Sequence, residues 1–559
     1  MRRSLSVLLG GVLASSVLLS GATAGAETLE CPLHRPVPVT RLYFKLSVDL
    51  RGRVPTIEEY AALEDLDDSE DLPDFLIDDM LGSGELVARM REYHRSIFFP
   101  VIGGTNGSIR DNDMTLRDQT IAAGVTAWAS TSTARRKKYR GGDGSHLCKD
   151  VPQTDLQPTY KPGDAPTCPP SGTDAAGAFC QEGYTTIKPY WDPSAAIKIC
   201  AFEAQKAEMY TVAGKGDFPC NMDIAQTQIA CGCGPSLQYC MKSTSDLDNE
   251  VRASWQEQFL LMVDEVIAGP ERYDWLFTTQ DVFTNGVLDH YYKYLAQASG
   301  TSRVYNAPST SDYPLPDKPD WADKSFRREK RAGIHSGILT LPAFTLRYQT
   351  NRGRANKVYQ ALMGKYFIPP DPKDTMCETE GTDLTKRCVC RKCHETLEPL
   401  AAYFGAVSEA GSALVNDLPP ELPDVAACKA IFPPASSTAW CNRLYIQTAI
   451  SEDKSVYRQR ALEFMDTHPE VKDHYDQGPG GLFALAAEKT AEGEPGLFWQ
   501  ATVRHMFEYL MKREMDLDPS SPENEREILM DLAGDLADTG DFKALVRAIV
   551  TLPAYRRMP

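Results

Sequence analysis

Apolar positions recur over most of this chain with the spacing of one helix face, about three or four residues apart. Residues 43–50 form one such segment, and Thr56 can cap the helix after it, with Glu58 and Glu59 in the first turn. The alternation of apolar and polar residues that is typical of strands is scarce. The pattern therefore predicts a mainly α fold. Further helices are expected at residues 86–99, 255–267, 354–366, 498–511, 525–536 and 541–552.

Residues 101–245 differ from the rest of the chain. Gly, Ser, Thr, Pro and Asp dominate there, and eight of the 15 cysteines lie between Cys148 and Cys240. Such a segment is typical of a loop-rich insertion that is held by disulfides. A zinc site is the alternative, but the spacing matches no standard zinc pattern and no His lies among the candidate ligands. Those candidates are Cys200, Cys220, Cys231, Cys233 and Cys240.

The 559-residue length is enough for several domain-sized units. Local composition and the hydrophobic pattern divide the chain into six segments. The first four are a signal peptide at 1–26, an N-terminal helical domain at 32–100, the cysteine-rich loop-rich insertion at 101–245, and a helical domain and linker at 246–325. The Cys-Arg-Lys-Cys-His sequence at 390–394 then indicates a cytochrome c-like haem c-binding region at 326–450, and a C-terminal helical domain follows at 451–559.

The first segment predicts export. Arg2 and Arg3 precede an apolar run at residues 5–19, and Ala24-Gly25-Ala26 offers a small-residue cleavage site. The run is short for a membrane anchor, which is the alternative, and no later stretch has about 18 uninterrupted apolar residues. We therefore expect cleavage after Ala26, no transmembrane span, and a periplasmic, extracellular or cell-surface location.

The charge balance excludes some partners. With 59 Lys and Arg against 77 Asp and Glu, the net charge is −18. A general nucleic-acid binder needs a basic footprint, and docking to an anionic membrane needs basic residues as well. We therefore expect no nucleic-acid partner.

The sequence Cys390-Arg391-Lys392-Cys393-His394 is a C-x-x-C-H motif, the attachment site of c-type haem. Two thiols about one helical turn apart bind the haem vinyl groups as thioethers, and the adjacent His binds the iron as the proximal ligand. The motif therefore predicts one covalent haem c at Cys390, Cys393 and His394. Export agrees with this prediction, because c-type haem is attached outside the cytoplasm.

Three other interpretations of the motif stay open. Cys390 and Cys393 could form a redox disulfide, although no βαβ pattern surrounds them. They could also be structural cysteines beside an incidental His394, or bind zinc together with Cys388. Two haem cysteines leave 13 of the 15, an odd number, so at least one cysteine is free, intermolecular or otherwise engaged. Pro399 either shapes a loop whose carbonyl holds the imidazole or is an ordinary turn proline.

The sixth iron ligand decides the chemistry, because Met or His favours electron transfer and an open position permits reactions with O₂ or peroxide. The sequence does not select one residue, and each candidate is individually more typical of a surface or core position. The candidates are Met465, Met506, Met511 and His335, with His468, His505 and Met363 behind them.

Four segments resemble planctomycete-type cytochrome-associated proteins, a family of exported bacterial proteins. Together with the stretches between them they cover somewhat over half of the mature chain, in the family's order around the C-x-x-C-H motif. The segments are Arg41-Leu42 to Leu50-Arg51-Gly52 with Pro55-Thr56-Ile57-Glu58; Leu276-Phe277-Thr278 to His290-Tyr291; Arg331-Ala332-Gly333 to Pro342-Ala343-Phe344; and Phe498 to Arg513 with Asp541 to Arg556.

The resemblance has two local departures. Glu398-Pro399-Leu400-Ala401 stands where the family usually has Asp-Pro-Ile-Gly, and Leu341 stands where relatives often have His. The cysteine-rich segment lies outside the match. The resemblance implies a monohaem cytochrome-like protein and brings no characterised reaction.

The leading hypothesis is electron transfer through one haem with an exported redox partner protein. One alternative is a haem-dependent oxidoreductase or peroxidase-like enzyme, since the chain far exceeds what holding one haem requires. The other is a cell-envelope binding or assembly protein, part of an envelope complex, with an accessory haem. No G-x-S-x-G, H-E-x-x-H, P-loop or dinucleotide motif indicates another chemistry.

Overall fold

The computed structural model describes most of the chain between residues 37 and 557. The predicted signal peptide and its cleavage site lie outside the described residues, as do Cys31, Met465 and His468. The described residues are 37–64, 66, 72–102, 109, 114–130, 147–156, 182–212, 214, 216–221, 231–244, 246–296, 313–368, 388–407, 411 and 477–557.

The prediction of a mainly α fold with a cytochrome c-like haem region is wrong. About 48% of the described residues are helical and 12% are in strands, including a curled five-stranded mixed sheet. The sheet lies in residues 101–245, the segment predicted as a loop-rich insertion. Its strands lack the alternation that sequence patterns depend on. Strand Thr115–Ala122, for example, begins with two buried residues followed by two exposed ones.

The N-terminal part contains four helices. The first helix ends at Arg51, and Gly52 follows it with a φ of 71°, in the left-handed region that favours glycine. Thr56 caps α2 as the sequence predicts: its side chain accepts a hydrogen bond from Glu59 N, and the Glu59 side chain accepts one from Thr56 N. The helices are α1 (Val39–Arg51), α2 (Ile57–Ala61), α3 (Asp74–Gly82) and α4 (Gly84–Phe98).

The described strands between α4 and residue 246 form one sheet and one separate hairpin. The sheet has the order β3-β4-β2-β1-β7, with β1 antiparallel to β2 and parallel to β7. β5 and β6 pair only with each other. The strands are β1 (Thr115–Ala122), β2 (Val125–Ser130), β3 (Tyr184–Ile187), β4 (Ile197–Cys200), β5 (Met209–Val212), β6 (Gly216–Pro219) and β7 (Met241–Lys242).

Three disulfides join described residues of this region. They join Cys148 to Cys200, Cys220 to Cys231, and Cys233 to Cys240. All five cysteines of the alternative zinc site are therefore in disulfides and offer no thiolate to a metal. The remaining two cysteines of the segment, Cys168 and Cys180, lie outside the described residues.

Helices dominate the rest of the described chain. A two-stranded antiparallel pair, β8 (Asp281–Thr284) and β9 (Arg327–Lys330), interrupts them. The helices are α5 (Asp246–Ile267), α6 (Trp275–Thr278), α7 (Gly286–His290), α8 (Pro342–Thr345), α9 (Asn351–Ala361), α10 (Cys388–Ala402), α11 (Pro479–Ala487), α12 (Leu497–Met511), α13 (Arg526–Thr539), α14 (Phe542–Val550) and α15 (Pro553–Arg556).

One hydrophobic cluster joins the helical segments. It contains buried side chains from α1, α4, α5, α9 and α12, among others, whereas the sheet has two smaller clusters of its own. The helix with the C-x-x-C-H motif contributes Leu400 and Ala401 to the large cluster. The motif therefore belongs to a shared helical scaffold rather than to a separate cytochrome c-like domain. Among the described residues, no helix combines the length and apolarity that crossing a membrane requires.

Candidate functional site

α10 carries the three residues of the C-x-x-C-H motif. Cys390, Cys393 and His394 occupy positions i, i+3 and i+4, which share one face of a helix. Both cysteines are free and partly exposed. The redox disulfide, one of the alternatives, is therefore not formed in this structure.

A buried carboxylate holds the imidazole of His394. Nδ1 lies 2.7 Å from Oε1 of Glu398, one turn further along the helix. The Glu398 side chain is only 4% exposed and that of His394 is 19% exposed. A carboxylate only accepts, so Nδ1 of His394 is the donor. In the neutral form of the ring this tautomer carries its lone pair on Nε2, the atom through which such a ring binds a metal.

Arg352 holds Glu398 from the neighbouring helix α9. Its Nε donates to the same Oε1 over 2.7 Å. The pair is 32% exposed on the Arg352 side and 4% exposed on the Glu398 side, so the carboxylate is the desolvated partner. The guanidinium therefore compensates a charge that would be costly to bury alone.

α9 is fixed in place at its N-terminus. Thr350 caps it by accepting a hydrogen bond from Gly353 N over 3.0 Å. The fully buried Arg354 donates to the carbonyl oxygens of Thr345 at 3.0 Å and Gly411 at 2.9 Å. These bonds tie the first turn of α9, which includes Arg352, to the backbone on either side of it.

Tyr359 stands two turns after Arg352 and so lies on the same face of α9. Its ring stacks on Phe367, with the centroids 4.5 Å apart. Burial raises the pKa of the Tyr359 hydroxyl, and a negative charge on the Cys393 thiol raises it further. Tyr359 therefore lies on the face of α9 from which Arg352 contacts Glu398 of α10.

The structure brings Glu398 and Arg352 to the motif, and sequence reasoning missed both roles. Glu398 is four residues after His394, the spacing at which helical side chains meet, so the sequence could have indicated it. Arg352 is remote in sequence, and nothing local indicates it. Pro399 lies inside α10. It is therefore in neither the loop nor the turn that its two interpretations required.

The candidates for a sixth iron ligand lie on other elements. Met506 and Met511 on α12 are fully buried in the large hydrophobic cluster, and Met363 belongs to the same cluster. Their position is typical of core side chains. Met465 lies outside the described residues.

His335 is buried between β9 and α8. Its Nδ1 is 3.3 Å from Oγ1 of Thr340, and its Nε2 has no hydrogen-bond partner among the described residues. Burial and then the charge of Arg331 lower the pKa of His335 well below its ordinary value. The ring is therefore neutral at pH 7, the form that a metal ligand needs.

A second group of side chains has metal-like spacing. Ligand atoms of Glu182, Cys200 and Glu203 lie within 4.8 Å of one another, and all three residues are buried. However, Cys200 is bonded to Cys148, and backbone N–H groups of Phe202 and Ser130 donate to the two carboxylates. These contacts give the group a structural role beside the disulfide.

Comparisons with protein families, with curated proteins and with solved structures find no match to this chain. The family resemblance therefore stays a prediction, and α9 and α10 provide the structural features that bear on function.

Proposed function

We propose that this chain is an exported monohaem c-type cytochrome-like protein that transfers electrons to or from an exported redox partner. Cys390 and Cys393 would bind one haem through thioethers, and His394 would bind its iron through Nε2. One observation carries the proposal. The free thiols of Cys390 and Cys393 lie on the same helix face as His394, and the buried Glu398 carboxylate accepts a hydrogen bond from Nδ1 of that histidine.

The residues fit an iron-binding imidazole. A His that binds a metal usually donates its other ring N–H to a carboxylate or a carbonyl, which fixes the tautomer and the ring orientation. Glu398 provides that acceptor, and Arg352 keeps the carboxylate in place. An incidental His beside two structural cysteines would have no need of this support.

A haem held here supplies a one-electron couple at its iron. The chain's own contribution is to orient His394 and to set how strongly its ring donates to the metal. A carboxylate on Nδ1 makes the ring a stronger donor. We therefore expect Glu398 to stabilise the oxidised state, since the oxidised iron carries more positive charge.

The hydrogen bond between His394 and Glu398 also supports a second candidate function, that of a haem-dependent peroxidase-like enzyme. A strongly donating proximal ligand favours cleavage of an O–O bond where the sixth position is open. The two candidates therefore differ in one property, the availability of the sixth position.

The test uses the full chain, expressed with its own N-terminus in a bacterium that matures c-type haem. Haem staining after denaturing electrophoresis measures covalent attachment, and reduced-minus-oxidised spectra with and without CO report the sixth position. We expect a c-type α-band that CO leaves unchanged. The double variant Cys390→Ala/Cys393→Ala should lose the stain.

Cys388→Ser is the matched control, because Cys388 is on the same helix but outside the motif. It should keep the covalent haem. Absence of covalent haem in the unmodified chain would overturn the proposal. A spectrum that CO shifts would favour the peroxidase-like candidate over electron transfer.

A further inference from the structure

A cavity of about 400 Å³ lies between α4, α9 and the C-terminal part of α12. Tyr93, Lys357, His505 and Tyr509 are among the side chains that line it. Tyr366, which is 62% exposed, stands on its rim. The volume is within the range of about 300–1,000 Å³ that is usual for small-molecule sites.

Two hydroxyl groups in the wall lack partners. Tyr93 is 2% exposed, and neither its Oη nor that of Tyr509 has a hydrogen-bond partner in the described part of the chain. The two rings meet edge to face, 5.0 Å apart. Burial raises the pKa of Tyr93 well above its ordinary value, so its hydroxyl keeps its proton. Nearly all buried polar groups in proteins are hydrogen-bonded, so these hydroxyls call for a partner beyond the described residues, and a bound ligand would supply one.

The lining is locally positive on a protein of net charge −18. It includes Lys357 and Lys512 and a single acid, Glu508. Lys512 donates to the Tyr509 carbonyl within its own turn. Burial lowers the pKa of Lys357, and no neighbouring carboxylate raises it. Among the described residues no carboxylate forms an ion pair with Lys357, although Glu508 lines the same cavity.

The other charges near the cavity do not change this balance. Burial, then Arg504 and Lys357, lower the pKa of His505 to about 4, so its ring is neutral at pH 7. Arg89 lies over the Tyr509 ring and pairs with Glu92 over 2.9 Å. The wall thus combines one unpaired cation, two unused hydroxyls and flat aromatic surfaces.

We propose that this cavity binds a small organic anion, a carboxylate on a flat aromatic body. The carboxylate would lie against Lys357 and Tyr93, since an ammonium group and a hydroxyl both donate to it. The ring of the ligand would lie against Tyr366, since Arg89 and Lys512 already lie over the Tyr509 ring. The proposal does not depend on haem, because Arg352 and Tyr359 present another face of α9 to α10.

Isothermal titration calorimetry on the full chain tests it, with benzoate, 4-hydroxybenzoate and phenylacetate as probes. Benzyl alcohol and inorganic phosphate serve as the uncharged and the non-aromatic comparisons. We expect at least one of the three acids to bind with a stoichiometry of one, and both comparison compounds to bind at least tenfold more weakly. Lys357→Met should weaken acid binding at least tenfold.

Two further variants separate binding from folding. Tyr93→Phe removes only an unpaired hydroxyl, so it should keep the Tm and weaken acid binding several-fold. Lys543→Gln, on α14 and outside the cavity lining, should change neither the Tm nor the affinity for the acids. Failure of all three acids to bind, equal binding of benzyl alcohol, or unchanged affinity in both cavity variants would each overturn the proposal. Binding of phosphate alone would also overturn it.

Discussion

Glu398 accepts a hydrogen bond of 2.7 Å from Nδ1 of His394, one turn away on the same helix. Arg352 donates to the same carboxylate oxygen from α9. The orientation of the imidazole therefore depends on how two helices pack, in addition to the local motif. Three side chains from two elements therefore fix the orientation of the His394 ring through its Nδ1 atom.

Replacing Glu398 by Gln should raise the midpoint potential of the haem-loaded protein. The amide oxygen can still accept from Nδ1, but the negative charge is gone, so the imidazole donates less to the iron. We expect a rise of roughly 60 mV, a tenfold change in a one-electron equilibrium. A potentiometric titration of the α-band measures it.

Glu395→Gln is the control for this charge change. Glu395 is on the same helix and pairs with Arg391 on the exposed side, where solvent screens the loss of charge. Its midpoint potential should stay near that of the unmodified protein. Equal shifts in the two variants would show that Glu398 acts only through the general charge of α10.

Acid should destabilise the fold through His94. The ring is fully buried, with Nδ1 2.7 Å from the Met90 carbonyl oxygen and Nε2 3.1 Å from the Tyr273 hydroxyl. Burial lowers its pKa from 6.5 to about 4. Between those values the unfolded chain binds a proton that the folded chain does not. The contribution of His94 to the free energy of unfolding is therefore fully present above pH 6.5. It decreases as the pH falls towards 4, by about 3 kcal/mol at most.

Urea unfolding at pH 7.5, 6.0 and 5.0 checks this sign. His94→Asn, which keeps a donor near the Met90 carbonyl, should be less stable at pH 7.5 but lose less stability on acidification. Tyr273→Phe keeps the titrating ring and should retain the pH dependence. An unchanged pH dependence in His94→Asn would refute the assignment.

The two ends of the described chain meet at a buried hydrogen bond. Tyr555 on α15 donates to Oδ2 of Asp49 on α1 over 2.7 Å, and Lys45 approaches the same oxygen at 2.6 Å. Tyr555→Phe should lower the free energy of unfolding by about 2 kcal/mol, because a buried carboxylate loses a donor. Tyr366→Phe, at a residue that is 62% exposed, should stay within about 0.5 kcal/mol. Denaturant titration compares them, and equal losses would contradict this role of Asp49.

The sequence predicted the helices better than the sheet. α12 carries an apolar face of regular spacing and begins at Leu497, one residue from its predicted start. β4, in contrast, is only four residues long, and its last residue, Cys200, forms a disulfide with Cys148. A strand this short carries too little alternation to detect, and its pairing partners are distant in sequence.

By itself the sequence determined what is local: the capping of α2 by Thr56, the long amphipathic helices, and the motif that puts Cys390, Cys393 and His394 on one helix face. The tertiary structure decided what depends on distant partners. It brought Arg352 to Glu398, joined the helical segments into one cluster, and placed Lys357, Tyr93 and Tyr509 in the wall of one open cavity. Local patterns follow from backbone geometry over a few residues, whereas these contacts exist only after helices remote in sequence have packed together.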